Sequence, residues 1–193
     1  MIQEEFKFYK PCKLLQPYVR YYWVFSSNQM LKTYTFPIGC SQIIFHKRTP
    51  LYVPELDTTQ HKLTISGQVN FSSHLQAEDE IEMIVVVFYP HTINLFLDTP
   101  ASSFYNKEVS GYDIEDKHLA ELAKQVFECE DNNHCVNLIE RWLLSRLSIR
   151  PYETTYRVRR MLAAIEQLCA APQTLITDLS STCCLGKKQF ERE

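Results

Sequence analysis

Lys187, Lys188, Gln189 and Arg192 fall close together near the C-terminal end of the sequence. Lysine and arginine hold phosphates, and arginine, lysine and glutamine reach base edges, so this grouping has the chemistry of nucleic-acid recognition. Upstream, Arg146, Arg150, Arg157, Arg159 and Arg160 stand against a single acid, Glu153. Arg159 and Arg160 are the candidates there for phosphate contact. The formal net charge is −3, so the basic character is local to this end and most acids lie before position 150. The competing reading of these cations is the solvated face of ordinary helices.

Other chemistries lack their residues. His46, His61, His74, His91, His118 and His134 are scattered, with no H-x-H, H-E-x-x-H or G-x-S-x-G arrangement. With 4 glycines there is no phosphate-cradling loop. The 7 cysteines contain no C-x-x-C, and Cys129, His134 and Cys135 are poorly spaced for zinc. The expectation is no enzyme, no metal and no cofactor, with a small enzyme on a β-barrel as the third-ranked reading. The opening stretch MIQEEFKFYK has no apolar core of a leader, and the longest apolar run, Met83–Tyr89, is too short to span a bilayer. With an odd number of cysteines and no leader, a reduced cytoplasmic compartment is expected, with no membrane partner.

Aromatic residues are the candidates for a ligand pocket: Tyr22, Trp23, Phe36 and Phe88. Consecutive residues of a strand face opposite sides, so at most half of the run around Tyr18–Phe25 can line one pocket, and core packing competes for the rest. Val136, Ile139, Leu143 and Leu147 recur at helical spacing with Trp142 beside them; Ile139, Trp142 and Leu143 are the candidates for a dimer face, against core packing as the alternative.

The elements that must position these residues change type along the chain. Tyr18–Phe25, Tyr34–Pro37, Ser41–His46, Leu51–Val53, His61–Val69 and Glu82–Tyr89 read as strands, the last continuous enough to be covered on both faces. After Pro90, helix spacing appears at His91–Leu97, from Pro100, over Ile114–Glu128, and over Asn133–Leu147 behind a cap at Asp131 or Asn132. A further helix runs from Thr154 or Thr155 to about Ala170, with Val158, Leu162, Ile165 and Leu168 or Cys169 inward. A short one, Asp178–Thr182, follows a cap at Thr177. After the turn Cys184-Leu185-Gly186 a third begins at Lys187, and the sequence stops inside it. This predicts an α+β chain: an antiparallel, β-rich N-terminal half, barrel-like or a curved sheet, followed by helices, then a partial all-α helix-turn-helix module. The expected domains are 1–150 and 151–193.

A helix, a break, a short helix, a tight turn and another helix make a helix-turn-helix. Leu175 and Leu179 are expected to pack on Leu185 and Phe190, with Ser180 and Cys183 or Cys184 small enough for close approach. The stretch Thr174–Arg192 resembles the first helix-turn-helix of AraC/XylS regulators. Asp178, Leu179 and Ser180 stand at that family's Asp-Leu-Ala positions, Leu185 at its apolar turn position, Lys188 and Arg192 at its arginines, and Phe190 at its leucine. Gly186 replaces the family's capping serine, and Cys184 its turn glycine, a left-handed position that cysteine adopts only against strain. Leu15–Trp23, the F-P-x-G stretch Phe36–Gly39, and V-x-F-Y-P-H with Leu97 and Pro100 resemble sensor domains of such regulators. The resemblance implies a DNA-binding transcription regulator with an effector-sensing domain and an incomplete DNA-binding domain. Its partners would be DNA, through the complete protein, an unknown small-molecule effector, and a second copy. The alternative is a ligand-binding or protein-interaction module that does not bind DNA.

Overall fold

Register and alternation build the first of two units. A computed structural model describes residues 4–191, and the chain divides into residues 1–148 and 149–193. The strands are β1 (Glu4–Tyr9), β2 (Val19–Ser27), β3 (Leu31–Thr35), β4 (Gln42–His46), β5 (Tyr52–Val53), β6 (Thr58–Thr59), β7 (Leu63–Ser66), β8 (Ser73–Ala77), β9 (Ile81–Phe88) and β10 (Glu108–Ser110). All pair antiparallel, in a six-stranded sheet ordered β1-β2-β9-β4-β7-β10 and a four-stranded sheet ordered β3-β8-β5-β6. The fold is α+β. The two ladders do not join among the described residues, so the β-rich half is a pair of sheets rather than a closed barrel.

The larger sheet is covered on both faces along β2, β9, β4 and β7, while its edge strand β1 stays mostly exposed. Tyr22, Val86, Ile43 and Ile65 are partners in register across β2, β9, β4 and β7. This row faces helices α1 (Lys117–Glu128) and α2 (Asn132–Ser148). Phe45, on the same face as Ile43, meets Phe127 of α1 edge-on with ring centroids 6.4 Å apart, and Tyr22 Oη donates to Glu140 Oε1 of α2 at 3.2 Å. The alternate row, Trp23, Val85, Ile44 and Thr64, faces the smaller sheet, where Phe25, Ile44, Leu51, Ala77, Met83 and Val85 share one apolar cluster. β9 is buried from Ile81 to Phe88 except at Glu82, which accounts for its unbroken apolar sequence.

Caps and charges fix the helices. Asp116 accepts the backbone N–H of His118 at 2.9 Å and of Leu119 at 3.1 Å, and α1 buries Leu119, Leu122, Ala123 and Val126. Asp131 accepts from His134 N at 2.9 Å, so it supplies the cap expected ahead of α2. Arg146 ties α2 to its surroundings: Nη2 meets Asp98 Oδ2 at 2.6 Å, Nη1 lies 3.7 Å from Asp116 Oδ2, and Nε donates to Phe96 O at 3.0 Å.

Several expectations are corrected. β1, β6, β8 and β10 were not foreseen. His91–Leu97 and the segment from Pro100 form only short 3-10 turns, Ile93–Leu95 and Ala101–Phe104. Ile139, Trp142 and Leu143 are not an open dimer face: α2 turns them inward, where they are 1%, 7% and 0% exposed within the first unit.

The second unit holds α3 (Tyr152–Ala170), α4 (Ile176–Thr182) and α5 (Lys187–Phe190). Pro151, not Thr154 or Thr155, precedes α3, and Leu175, not Thr177, precedes α4. The core of this unit is Ala164, Leu179 and Cys183, with Met161, Leu185 and Phe190 packed on it. Leu175 and Leu168 stay exposed rather than packing as expected. Ser180 is buried and donates to Thr177 O at 2.9 Å, and Cys183 Sγ reaches Arg160 O at 3.4 Å, which keeps α4 close to α3. The turn into α5 passes through Cys184 at φ 53°, in the left-handed region.

Candidate functional site

The space between the two sheets of the first unit is not filled. A cavity of about 150 Å³ remains, walled by Trp23, Ile44, Met83 and Val85 of the larger sheet and by Leu51, Val53, Ser73 and Leu75 from the smaller sheet and its connection. Its rim is the turn from β3 into β4, Phe36, Ile38 and Gly39, where Phe36 is 69% exposed. Gly39 sits at φ +66°, a conformation that an L side chain resists, so the F-P-x-G stretch shapes the cavity mouth. The ring of Phe6 on β1 stacks on Trp23 at 4.9 Å with planes 10° apart, and so supports one wall.

The polar end of the cavity is built by β10 and β7. Glu108 is paired with Ser66 in register, so both side chains point to the cavity face. Ser66 Oγ donates to Glu108 Oε1 at 2.9 Å, and Gln60 Nε2 donates to Glu108 Oε2 at 3.1 Å. Gln60 Oε1 lies 2.8 Å from His46 Nε2. Gln60 turns its NH2 to Glu108 and its carbonyl to His46, which places the His46 proton on Nε2. His46 Nδ1 is then left buried without a partner. Burial pushes the Glu108 carboxyl up to about 7, against the two hydrogen bonds that hold it down. Burial likewise pulls the His46 imidazole down to about 4. Glu108 is the charged residue among those lining the cavity, and no Lys, Arg or His ion pair neutralises it among the described residues.

The four aromatics singled out in the sequence divide by face. Trp23 and Phe36 line the cavity. Tyr22 and Phe88 are fully buried on the opposite face, Tyr22 beside Glu140 and Phe88 with its ring 5.3 Å from that of Phe96. Their removal from the pocket follows from strand alternation. Sequence reasoning missed Glu108, Ser66 and Gln60. Glu108 lies on a three-residue strand too short to carry a period. The one local signal was Gly67, where a Cβ would come within 1.7 Å of Phe104 O, a close backbone approach that brings β7 to the segment feeding β10.

In the second unit Lys187, Lys188 and Gln189 are exposed on the first turn of α5 and Arg159 is exposed on α3. Arg160 is half-buried, its guanidinium 5.6 Å from the centroid of Tyr156. Arg192 lies outside the described residues. Among the described residues no group of three or more His, Cys, Asp or Glu side chains could hold a metal ion, and no helix is long and apolar enough to cross a membrane.

No curated protein and no solved structure matches the chain. A family described as Domain of unknown function (DUF6597) matches residues 7–110. That stretch runs from inside β1 to the last residue of β10 and contains every residue lining the cavity, and by this match over more than half its length the chain belongs to the DUF6597 family.

Proposed function

We propose that this chain is a transcription regulator of the AraC/XylS type, cytoplasmic, in which the first unit senses a small effector and the second carries the first helix-turn-helix of a DNA-binding domain. The observation that supports it most is the turn between α4 and α5. Cys184 takes up the left-handed conformation at the position of the family's turn glycine. Leu185 and Phe190 pack on Leu179 and Cys183, and Lys187, Lys188 and Gln189 are left exposed together. In that arrangement the packed pair sets the angle of the second helix and its outer face meets a major groove. The effector acts by changing how the sensing unit presents the DNA-binding unit. The unfilled cavity between the two sheets supports the sensing half of this reading. It equally favours the second reading, a ligand-binding module that does not touch DNA.

The test is association with short random-sequence duplexes at low salt, followed by anisotropy. Expected is weak, sequence-blind binding that salt removes, and that the Lys187→Ala/Lys188→Ala double variant weakens while lowering the salt slope by about one per lost phosphate contact. Binding that ignores both lysines, or none at all, overturns the DNA reading in favour of the second. A nanomolar complex would support DNA binding and overturn the expectation that it is weak.

A further inference from the structure

The cavity carries one charge that its own walls do not balance. Glu108 receives two hydrogen bonds, both from neutral donors, Ser66 and Gln60. A carboxylate offers about four lone-pair sites, so about two remain for a ligand. The surrounding wall, with Trp23, Ile44, Leu51, Met83 and Val85, is apolar. In such a low-dielectric site an opposite charge is attracted far more strongly than in water, and an aromatic face adds its own preference for cations. An anion would meet an ionised carboxylate with nothing to offset it.

We infer that the cavity binds a small organic cation, a primary amine or amidine on an apolar body about the size of one aromatic ring, with its charged head on Glu108 and its body beside Trp23. The size follows from the volume: dry cavities of about 150 Å³ elsewhere accept benzene, and this one measures about 150 Å³. The inference deepens the effector-sensing reading and rests on it for biological purpose, although its test involves no DNA. Three groups near Glu108 can titrate or carry charge. His46 is reached through Gln60. Cys40 lines the cavity, and Arg20, an exposed side chain outside the lining, meets Cys40 Sγ with Nη1 at 3.3 Å. Arg20 stays charged, held above its ordinary value by the hydrogen bond to Cys40, and lies outside the lining, so the charge in the lining that a ligand meets is that of Glu108.

The probes are benzylamine, benzyl alcohol and benzoate, titrated calorimetrically into the full chain at pH 8. Trp23 fluorescence in a Trp142→Phe background gives an independent reading. Expected is at least about tenfold tighter binding of benzylamine than of benzyl alcohol, and no binding of benzoate. Benzylamine affinity should fall about tenfold per pH unit below about pH 7, where the carboxyl takes up a proton. Glu108→Gln keeps the shape and should abolish both the amine preference and the pH slope. Phe36→Leu, at the exposed rim, should fold normally and weaken the amine severalfold. Equal binding of the alcohol, wild-type amine affinity in Glu108→Gln, or no binding of any probe at millimolar concentration overturns the inference. Amine binding without DNA association leaves it standing and sinks the regulator reading; DNA association without amine binding does the reverse.

Discussion

His46 and Glu108 hold the two ends of one side-chain amide, His46 Nε2 2.8 Å from Gln60 Oε1 and Glu108 Oε2 3.1 Å from Gln60 Nε2. Burial keeps both neutral forms favoured, and for an acid and a base this shifts the two groups in opposite directions. Glu108 moves from 4.5 to about 7. Its ionisation is harder in the fold than in the unfolded chain, so stability is greatest below the ordinary carboxylate value and declines from about pH 4.5 to 7, by on the order of 3 kcal/mol. His46 moves from 6.5 to about 4. The unfolded chain takes up that proton first, so its stabilising effect is complete above about pH 6.5 and is lost as pH falls toward 4, by a similar ~3 kcal/mol. Between about pH 4.5 and 6.5 the two slopes oppose each other. Urea-unfolding midpoints of the wild type should therefore vary little in that window. Glu108→Gln should become more stable at pH 8 and lose stability steeply with acid, whereas His46→Gln should gain stability with acid. Wild-type and Glu108→Gln profiles that superimpose would refute the opposition.

The turn between α4 and α5 makes opposite demands on two neighbouring positions. Cys184 sits at φ 53°, where a side chain costs roughly 1 kcal/mol that glycine does not. Gly186 sits at φ −68° with no atom within 4 Å of where its Cβ would be, so nothing there requires glycine. Cys184→Gly should raise the stability of the second unit by about 0.5–1 kcal/mol. Gly186→Ser should add a few tenths through a side-chain cap on α5. Cys184→Val should lower stability by more than Cys184→Gly raises it. Thermal melts of the three variants check the ranking, and a stabilising valine would contradict the left-handed assignment.

Long apolar periods were legible in the sequence, and short or one-sided elements were not. α1 buries the stripe that its spacing announced, α2 buries its stripe except for the half-buried Leu147, and β9 is the doubly covered strand that its unbroken apolar run implied. In β1 Phe6 and Phe8 alternate with Glu5 and Lys7, but the strand stays exposed on nearly every residue and buries no face that would mark it. β10 had no period to read at three residues. The Trp142 stripe could not be assigned to core or dimer face from spacing alone, since both require the same apolar pattern. The cavity was half legible: strand alternation allowed Trp23 or Tyr22 but not both, and the register chose Trp23. Its polar end was invisible because Ser66 and Glu108 meet only through pairing of β7 with β10, and Gln60 is held beside them by its backbone bond to Leu51 O.

Arg146 should be costly to remove from the first unit. It is 11% exposed and reaches Asp98, the mostly buried Asp116 and the carbonyl of Phe96. Asp98 is largely exposed and regains water easily, whereas Asp116 also caps α1 through His118 N and Leu119 N. Arg146→Ala is expected to destabilise by about 2–3 kcal/mol, mostly from the partners left behind. Arg146→Lys should recover only part, since an ammonium cannot copy the guanidinium fork. A double-mutant cycle with Asp116→Asn should show about 1 kcal/mol of coupling. No coupling would place the energy of Arg146 in Asp98 and Phe96 O alone.

Gly67 links the fold to the cavity, whose lining it joins. A Cβ there would meet Phe104 O at 1.7 Å and Phe104 C at 2.3 Å, both backbone atoms that no rotamer change can move. Gly67 N also donates to Lys107 O at 3.1 Å, so the strain would be passed to the segment that leads into β10 and carries Glu108. Gly67→Ala should therefore destabilise by roughly 2–4 kcal/mol, in the range of severe backbone clashes. It should also disturb the Glu108 site: as β10 shifts and Glu108 gains water its slope no longer offsets that of His46, so the variant, unlike the nearly flat wild type, should lose stability as pH falls from about 6.5 to 4.5. Gly67→Ala measured beside Gly39→Ala separates the two effects. The rim glycine has open space around its Cβ and strains only its φ of +66°, so its variant should cost about 1 kcal/mol and leave the pH profile unchanged. A Gly67→Ala protein with wild-type stability would mean that β7 and the Phe104 segment are not held at this distance.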